Sequence, residues 1–337
     1  MLKLSVLDHS QICEGRTAGD TLLETTRLAQ ETEKFGYTRF WVSEHHSSQA
    51  LAHSSPEVLI AHIAAMTQRI RVGSGGIMAT HYSAYKIAEN FRLLEALHPG
   101  RIDLGIGRAP GGTPLASRAL QEGKMNVGDQ TPQQVADLTH YLYDKLPADH
   151  RFAGLQASPV IPTAPEIWML GSSQGSDRIA AQMGTAFAYA QFFGVPQSDN
   201  SIANYKRDFQ PSILNKKPHA LAAVMVMCAE TEEEANRLAT SSNLFYLKLE
   251  QGRLLDTFPS TQTAQDYRYT SYDLENIASK SHRRVIGTPE QVKARLNAMS
   301  EQYGIDEIMV VSPIHNFADR VRSFRLIAEM FELDKQL

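Results

Sequence analysis

Arg39-Phe40-Trp41-Val42, Ile70-Arg71-Val72 and Ile102-Asp103-Leu104 are three short apolar runs within the stretch 39–110. They end respectively in Ser43-Glu44-His45-His46, Gly73-Ser74-Gly75-Gly76 and Gly105-Ile106-Gly107-Arg108-Ala109-Pro110. Helical patterns separate them. Pro56 to Met66 is expected to turn Val58, Leu59, Ile63 and Met66 inward, and Tyr85 to Leu97 carries Ile87, Phe91, Leu94 and Leu97 on one face. Strand alternating with helix is the pattern of a parallel sheet. The loops leaving the carboxyl ends of such strands meet on one face, so the three turns are expected to converge.

Outward from this stretch the alternation continues. Leu2 to Leu7 reads as the first strand, with Asp20 capping a helix whose apolar positions are Leu22, Leu23, Leu28, Ala29 and Phe35. Further strands are expected at Ile167 to Leu170, Ala186 to Ala190, Ala220 to Cys228 and Ile308 to Val311. Helices are expected from Thr131 to about Leu146, Asp177 to Met183, Ser198 to Phe209, from Thr231, from the capping box at Thr288, and over Asn316 to Phe331. Eight strands with their helices predict an α/β fold, a (β/α)8 TIM barrel forming one domain over 1–337. Two stretches interrupt it, one after the fourth strand and one before the eighth. Residues 109–130, with three prolines or glycines in the first four, read as a long loop over the site and a candidate lid; residues 252–284, Thr/Gln/Ser-rich, read as an insertion.

Bulk composition narrows the function. The 337 residues are 42% hydrophobic and 21% charged, with a formal charge of −4, which offers no field to draw in nucleic acid or an anionic membrane. Cys13 and Cys228 form no Cys-x-x-Cys pattern, which argues against a thiolate metal site or a disulfide scaffold. Asp8 interrupts the N-terminal apolar run, and no run approaches the ~20 residues that cross a bilayer, so a cytoplasmic protein without membrane contact is expected.

The turns carry the candidate chemistry. Adjacent residues on an extended segment point opposite ways, so only one of His45 and His46 faces the site. Imidazole is the side chain best able to trade a proton near neutral pH, although the pair also fits imidazoles satisfied by buried carbonyls. Glu44, His45 and His46 are metal-ligand types, but metal-binding barrels take histidines two apart on one strand; no metal is expected. The glycines of 73–76 leave room for a planar ring, or form an ordinary bulge. Gly105 to Pro110 nearly spells a dinucleotide fingerprint, with proline where the third glycine belongs. Arg108 offers two parallel hydrogen bonds to a phosphate, or a surface salt bridge. Gly171-Ser172-Ser173-Gln174-Gly175-Ser176-Asp177 opens a helix and offers free amides and hydroxyls to an anion, or plain capping by Ser176 or Asp177.

Taken in order, Ser43 to His46, Val72 to Met78, Ala88-Glu89-Asn90-Phe91, His98 to Gly111 and Gly171-Ser172-Ser173 resemble the bacterial-luciferase-like flavin monooxygenases, nearest their single-chain, non-luminous branch. Similar blocks run from Leu4 to about Gly194 and resume at Met225 to Thr231 and Ile286 to Pro289. The resemblance implies reduced FMN as a non-covalent cosubstrate that, with O2, oxidises a small organic substrate. It implies a phosphate held between Arg108 and Ser172, Ser173, Gln174, Gly175 and Ser176, and a cis peptide at Gly75–Gly76 packed on the flavin ring. His45 is implied as the base or hydrogen-bond donor beside that ring. No nicotinamide motif is visible, so a separate flavin reductase is the expected donor, and a homodimer is expected by analogy. Two other readings stay open: hydride transfer with a deazaflavin, and flavin binding without turnover.

Overall fold

The computed structural model describes residues 2–124, 129–172, 175–193 and 200–336. Its first half runs β1 (Lys3–Asp8), α1 (Ala18–Lys34), β2 (Arg39–Val42), α2 (Pro56–Met66), β3 (Arg71–Ser74), β4 (Ile77–Met78), α3 (Ala84–Leu97), β5 (Ile102–Gly107), α4 (Pro114–Leu120), α5 (Thr131–Leu142) and β6 (Glu166–Gly171). It continues with α6 (Ser176–Met183), β7 (Ala186–Ala190), α7 (Ser201–Asp208), β8 (Ala220–Cys228), α8 (Glu232–Glu250), α9 (Thr261–Asp266), α10 (Ser271–Ser279), β9 (Arg284–Gly287), α11 (Pro289–Tyr303), β10 (Glu307–Val311) and α12 (Phe317–Phe331).

The strands pair in parallel in the order β10-β1-β2-β3-β5-β6-β7-β8, and β10 pairs with β8 through Ile308 and Ala222, which closes an 8-stranded barrel. β4 resumes β3 beyond Gly75–Gly76 and pairs with β5; β9 lies along the second half of β8. Strands β2, β5 and β8 are buried at every position, as strands between a barrel interior and a helical layer must be.

The interior is stratified. At the amino ends of the strands Arg39 donates to Asp103 (2.9 Å), Glu166 (2.7 Å) and Glu307 (2.9 Å), and the Trp41 indole donates to Asp103 (2.8 Å). Trp41 and Trp168 stack edge to face at 5.4 Å just above. This ionic floor, which the sequence reading does not single out, lies at the end of the barrel away from the convergent turns, where residues serve stability.

Several helix expectations are corrected. Thr17, not Asp20, caps α1; Asp20 is the reciprocal partner in a capping box. Leu23 is exposed, and the inward face carries Thr21, Thr25, Thr26 and Thr32 with Leu28 and Ala29. Threonine fits there because its hydroxyl is satisfied within the helix, as Thr26 is by the Leu22 carbonyl (2.9 Å) and Thr32 by that of Leu28 (2.8 Å). Val58 and Met66 face outward, while Leu59, Ile60, Ile63 and Ala64 are buried. Helix α2 is apolar nearly all round, so its periodicity does not choose a face. Leu97, in the last turn of α3, is likewise exposed.

The two interruptions are more regular than expected. Within 109–130 the chain forms α4, with Thr113 accepting from the Ala116 amide; residues 125–128 lie outside the described residues. Within 252–284 it forms α9 and α10, capped by Ser260 and Thr270. Helix α5 ends at Leu142, short of Leu146, and α7 begins at Ser201, with 198–199 outside the described residues. No helix among the described residues is long and apolar enough to cross a membrane.

Candidate functional site

The carboxyl ends of β1, β2, β3, β5, β6 and β7 border two cavities that share Phe193 as a wall. The larger, about 840 Å³, is bordered by Gly75, Gly76, Arg108, Ser172 and Ser176, so three turns scattered over a hundred residues do converge. The Gly75–Gly76 peptide is cis.

The glycines are required by the barrel itself and not by open space beside them, which corrects the sequence reading. A Cβ on Gly75 would stand 2.7 Å from Leu7 Cδ1, and one on Gly76 would stand 2.8 Å from the Gly105 carbonyl oxygen. Their backbone still forms one wall of the cavity. A peptide unit thus faces whatever enters, with no side chain between.

At the far end Arg108 lies over Gly175. That glycine has φ of +112°, and a Cβ there would come within 2.7 Å of the Arg108 Nη1. The guanidinium pairs with Asp129 at 3.0 Å, the two side chains being 34% and 50% exposed. Two amides in the described part of the turn are already taken. The buried Asp177 carboxylate accepts from the amides of Gly175 and Arg178, both at 2.8 Å, and Gly175, not Ser176 or Asp177, occupies the cap position of α6. What remains for an anion is Arg108, Ser172 and Ser176 at the positive end of α6. Ser173 and Gln174 lie outside the described residues.

The opposite wall contains residues the sequence reading missed. Gln134 donates to the carbonyls of Ala79 (2.9 Å) and Tyr82 (3.1 Å), and the Lys124 ammonium bonds the His81 carbonyl. Both border the cavity; Lys124 ties the segment after β5, and Gln134 ties α5, to the chain after β4. A lone lysine beside Gly123 and a glutamine in the first turn of α5 gave the only signal.

The smaller cavity, about 340 Å³, borders His9, His45, Phe245, Tyr246, Leu249 and Leu254. His45 and His46 divide their work. His46 pairs with the buried Glu44 carboxylate at 2.7 Å, and its ring meets His81 edge-on at 5.7 Å. Glu44 also accepts from the Tyr82 hydroxyl (2.8 Å) and the Met78 amide (2.9 Å), so this cluster fixes the turn after β2. The ring of His45 instead stands 5.8 Å from that of His9, over the smaller cavity. Burial, with His53 and His46 nearby, pushes His45 down to about 4; burial, with His45 nearby, pushes His9 down to about 3. Both imidazoles are therefore neutral at neutral pH, each with one ring nitrogen able to donate a hydrogen bond and the other able to accept one. His9 and His53, distant in sequence, are gathered here by the first two strand ends. Among the described residues no three His, Cys, Asp or Glu side chains are grouped to hold a metal ion.

Known proteins share this arrangement. Residues 2–307 match the family model described as luciferase-like monooxygenase. The chain is 51% identical to the uncharacterized protein YwcH of Bacillus subtilis over 98% of this chain and 99% of that one. It is 38% identical to the N-acetyl-S-alkylcysteine monooxygenase of the same organism, over 98% of each. Among solved structures, apo-MsnO8 superposes with a TM-score of 0.91 at 37% identity, covering 99% of both chains. Two more distant structures share the fold alone. The oxygenating constituent of 3,6-diketocamphane monooxygenase of Pseudomonas putida, solved with FMN, has a TM-score of 0.72 at 20% identity over 98% of this chain and 97% of that one. An F420-dependent secondary alcohol dehydrogenase has 0.69 at 12%, over 97% and 98%. The chain belongs to the luciferase-like monooxygenases and is a flavin-dependent oxidoreductase.

Proposed function

We propose that this monooxygenase takes reduced FMN as its cosubstrate, delivered by a separate reductase, and uses it with O2 to oxidise a small organic molecule. The observation that carries the reading is the larger cavity. Its size of about 840 Å³ falls within the ~300–1,000 Å³ usual for cofactor sites. One wall is bare backbone at Gly75–Gly76 with Leu170 and Ala190 beside it, and one end holds Arg108 with Ser172 and Ser176. That division, flat and apolar at one end and cationic with hydroxyls at the other, fits a fused ring bearing a phosphate.

Bound reduced flavin would supply the electrons that activate O2; the chain supplies binding, orientation and exclusion of water. Arg108 would hold the phosphate bidentately, with Ser172, Ser173, Gln174, Gly175 and Ser176 completing the turn. His45, neutral at neutral pH, would accept or return a proton at its ring from the smaller cavity, and Phe193 stands between that cavity and the larger one. The 109–130 segment would act as a lid, since Gln121 and Lys124 already form part of the wall. We further read the protein as cytoplasmic, with Cys13 and Cys228 as buried free thiols, and as a homodimer, for which the exposed Val58, Met66, Leu93 and Leu97 of α2 and α3 provide an apolar face.

A deazaflavin would enter the same barrel, but the F420-dependent likeness is one of fold alone, whereas the relatives above 30% identity with an activity in their names are monooxygenases. Anaerobic titration with photoreduced FMN and with reduced deazaflavin, followed by mixing with O2, tests the reading. Saturable binding of reduced FMN and an oxygen-dependent transient in its absorbance are expected. Binding of the deazaflavin alone would sink the proposal, and rapid oxidation of a nicotinamide by the purified protein would remove the separate reductase.

A further inference from the structure

The smaller cavity has a chemistry of its own. Its lining includes no Asp, Glu, Lys or Arg among the described residues, and Phe245, Tyr246 and Leu249 of α8 form its outer wall. The apolar character extends to the mouth, where Leu249 is 40% exposed and Leu254 60% exposed. Exposed leucines at the rim of a cavity are unfavourable in water unless an apolar ligand covers them.

Several of the polar groups inside already have partners. Gln11 hydrogen-bonds the Tyr246 hydroxyl, Thr113 caps α4, and His45 is in hydrogen-bonding reach of the Gly111 backbone. His9 is held by Nδ1 on the Ser43 hydroxyl at 2.9 Å, and its Nε2 is shut off from solvent with no partner among the described residues. Leaving a buried polar atom without a partner is destabilising, and most in native proteins have one. The ring is oriented from behind by Ser43 and rests edge-on against Phe192 at 6.0 Å, so Nε2 is a fixed, unsatisfied group of a residue that lines a chamber without charged side chains among the described residues.

We infer that this chamber is the organic-substrate site, that its substrates are uncharged and mainly apolar, and that His9 Nε2 is the specificity-determining anchor for their single hydrogen-bonding group. The inference deepens the monooxygenase reading and rests on it for the word substrate. Because burial holds both His9 and His45 neutral, an anionic ligand would find no countercharge at neutral pH and would lose its hydration without return. A purely apolar ligand would fill the space but leave Nε2 unpaired. A neutral ketone, ether, thioether or alcohol satisfies both demands.

Equilibrium dialysis of the flavin-free protein at neutral pH against pentylbenzene, valerophenone and 5-phenylpentanoate tests this, since the three share a phenyl ring on a five-carbon chain and differ in carrying no polar group, one neutral carbonyl or one carboxylate. Valerophenone is expected to bind about 3- to 10-fold tighter than pentylbenzene, the worth of one hydrogen bond, and at least about 10-fold tighter than the carboxylate. His9→Phe should erase the ketone's advantage over the hydrocarbon while both still bind. Equal or tighter binding of 5-phenylpentanoate by the unmodified protein overturns the inference, as does an undiminished ketone advantage in a folded His9→Phe protein. The unmodified protein decides the charge question even where the variant does not fold. Dialysis involves neither flavin nor oxygen, so failure here leaves the FMN reading standing, and failure of the FMN titration leaves this result standing.

Discussion

Replacing Arg108 with methionine removes the guanidinium from the cavity end while keeping an unbranched side chain over Gly175. Each charge-assisted hydrogen bond to a phosphate is worth about 1.5–3 kcal/mol, so losing even one of the two costs about 10- to 150-fold in affinity. The gain is reduced by whatever Arg108 gives up to bind, and the structure sizes that loss. Its present partner Asp129 is half exposed and Arg108 a third exposed, so their 3.0 Å pair contributes less than about 1 kcal/mol. Binding therefore displaces Asp129 cheaply, and Arg108→Met should weaken reduced FMN by about 10-fold or more. Riboflavin, which has the ring without the phosphate, should change by less than about 2-fold. Asp129→Asn should act in the opposite direction, tightening FMN by a few fold by removing both a competitor and a repelling charge. Anaerobic titrations of Trp41 and Trp168 fluorescence with each flavin give the constants. Equal losses for FMN and riboflavin, or no loss for either, would refute the placement of the phosphate at Arg108.

Stability should fall as the solution is acidified through the titration of the buried histidines. His45 has its folded value below the ordinary 6.5, so its contribution is fully present above 6.5 and is lost as pH falls towards about 4; for His9 the loss continues to about 3. His45→Gln should flatten the urea stability profile between those limits by about 3 kcal/mol, and an unchanged slope would count against a neutral buried imidazole. Gly105→Ala would set a Cβ 2.0 Å from the Ser74 carbonyl oxygen, where backbone must move, so a loss of about 3 kcal/mol or more is expected in the same assay. Arg39→Met leaves Glu307 and Asp103 short of a buried countercharge and should cost about 3–5 kcal/mol, with flavin affinity of the folded fraction unchanged because the ionic floor lies at the opposite end of the barrel.

The barrel was legible in the sequence because its signals are local. Strands buried on both faces are short unbroken apolar runs, such as Ala220 to Cys228, and the turns after them are punctuated by glycine, proline and capping residues. The strand ends then follow from topology alone, and with them the meeting of Gly75, Gly76, Arg108 and Ser176. Which way a side chain turns once it arrives is a different kind of fact. Only the tertiary structure separates His46, held by Glu44, from His45, or shows that Gly75 is pressed by Leu7 from across the barrel. It alone reveals that Asp177 consumes the Gly175 amide, and that His9 joins His45 over a chamber walled by a helix two hundred residues later. Those outcomes depend on contacts between residues far apart in the chain. Periodicity and capping carry information about neighbours within a few residues, whereas hydrogen-bond partners, burial and the resulting proton affinities are decided by what the closed barrel brings alongside.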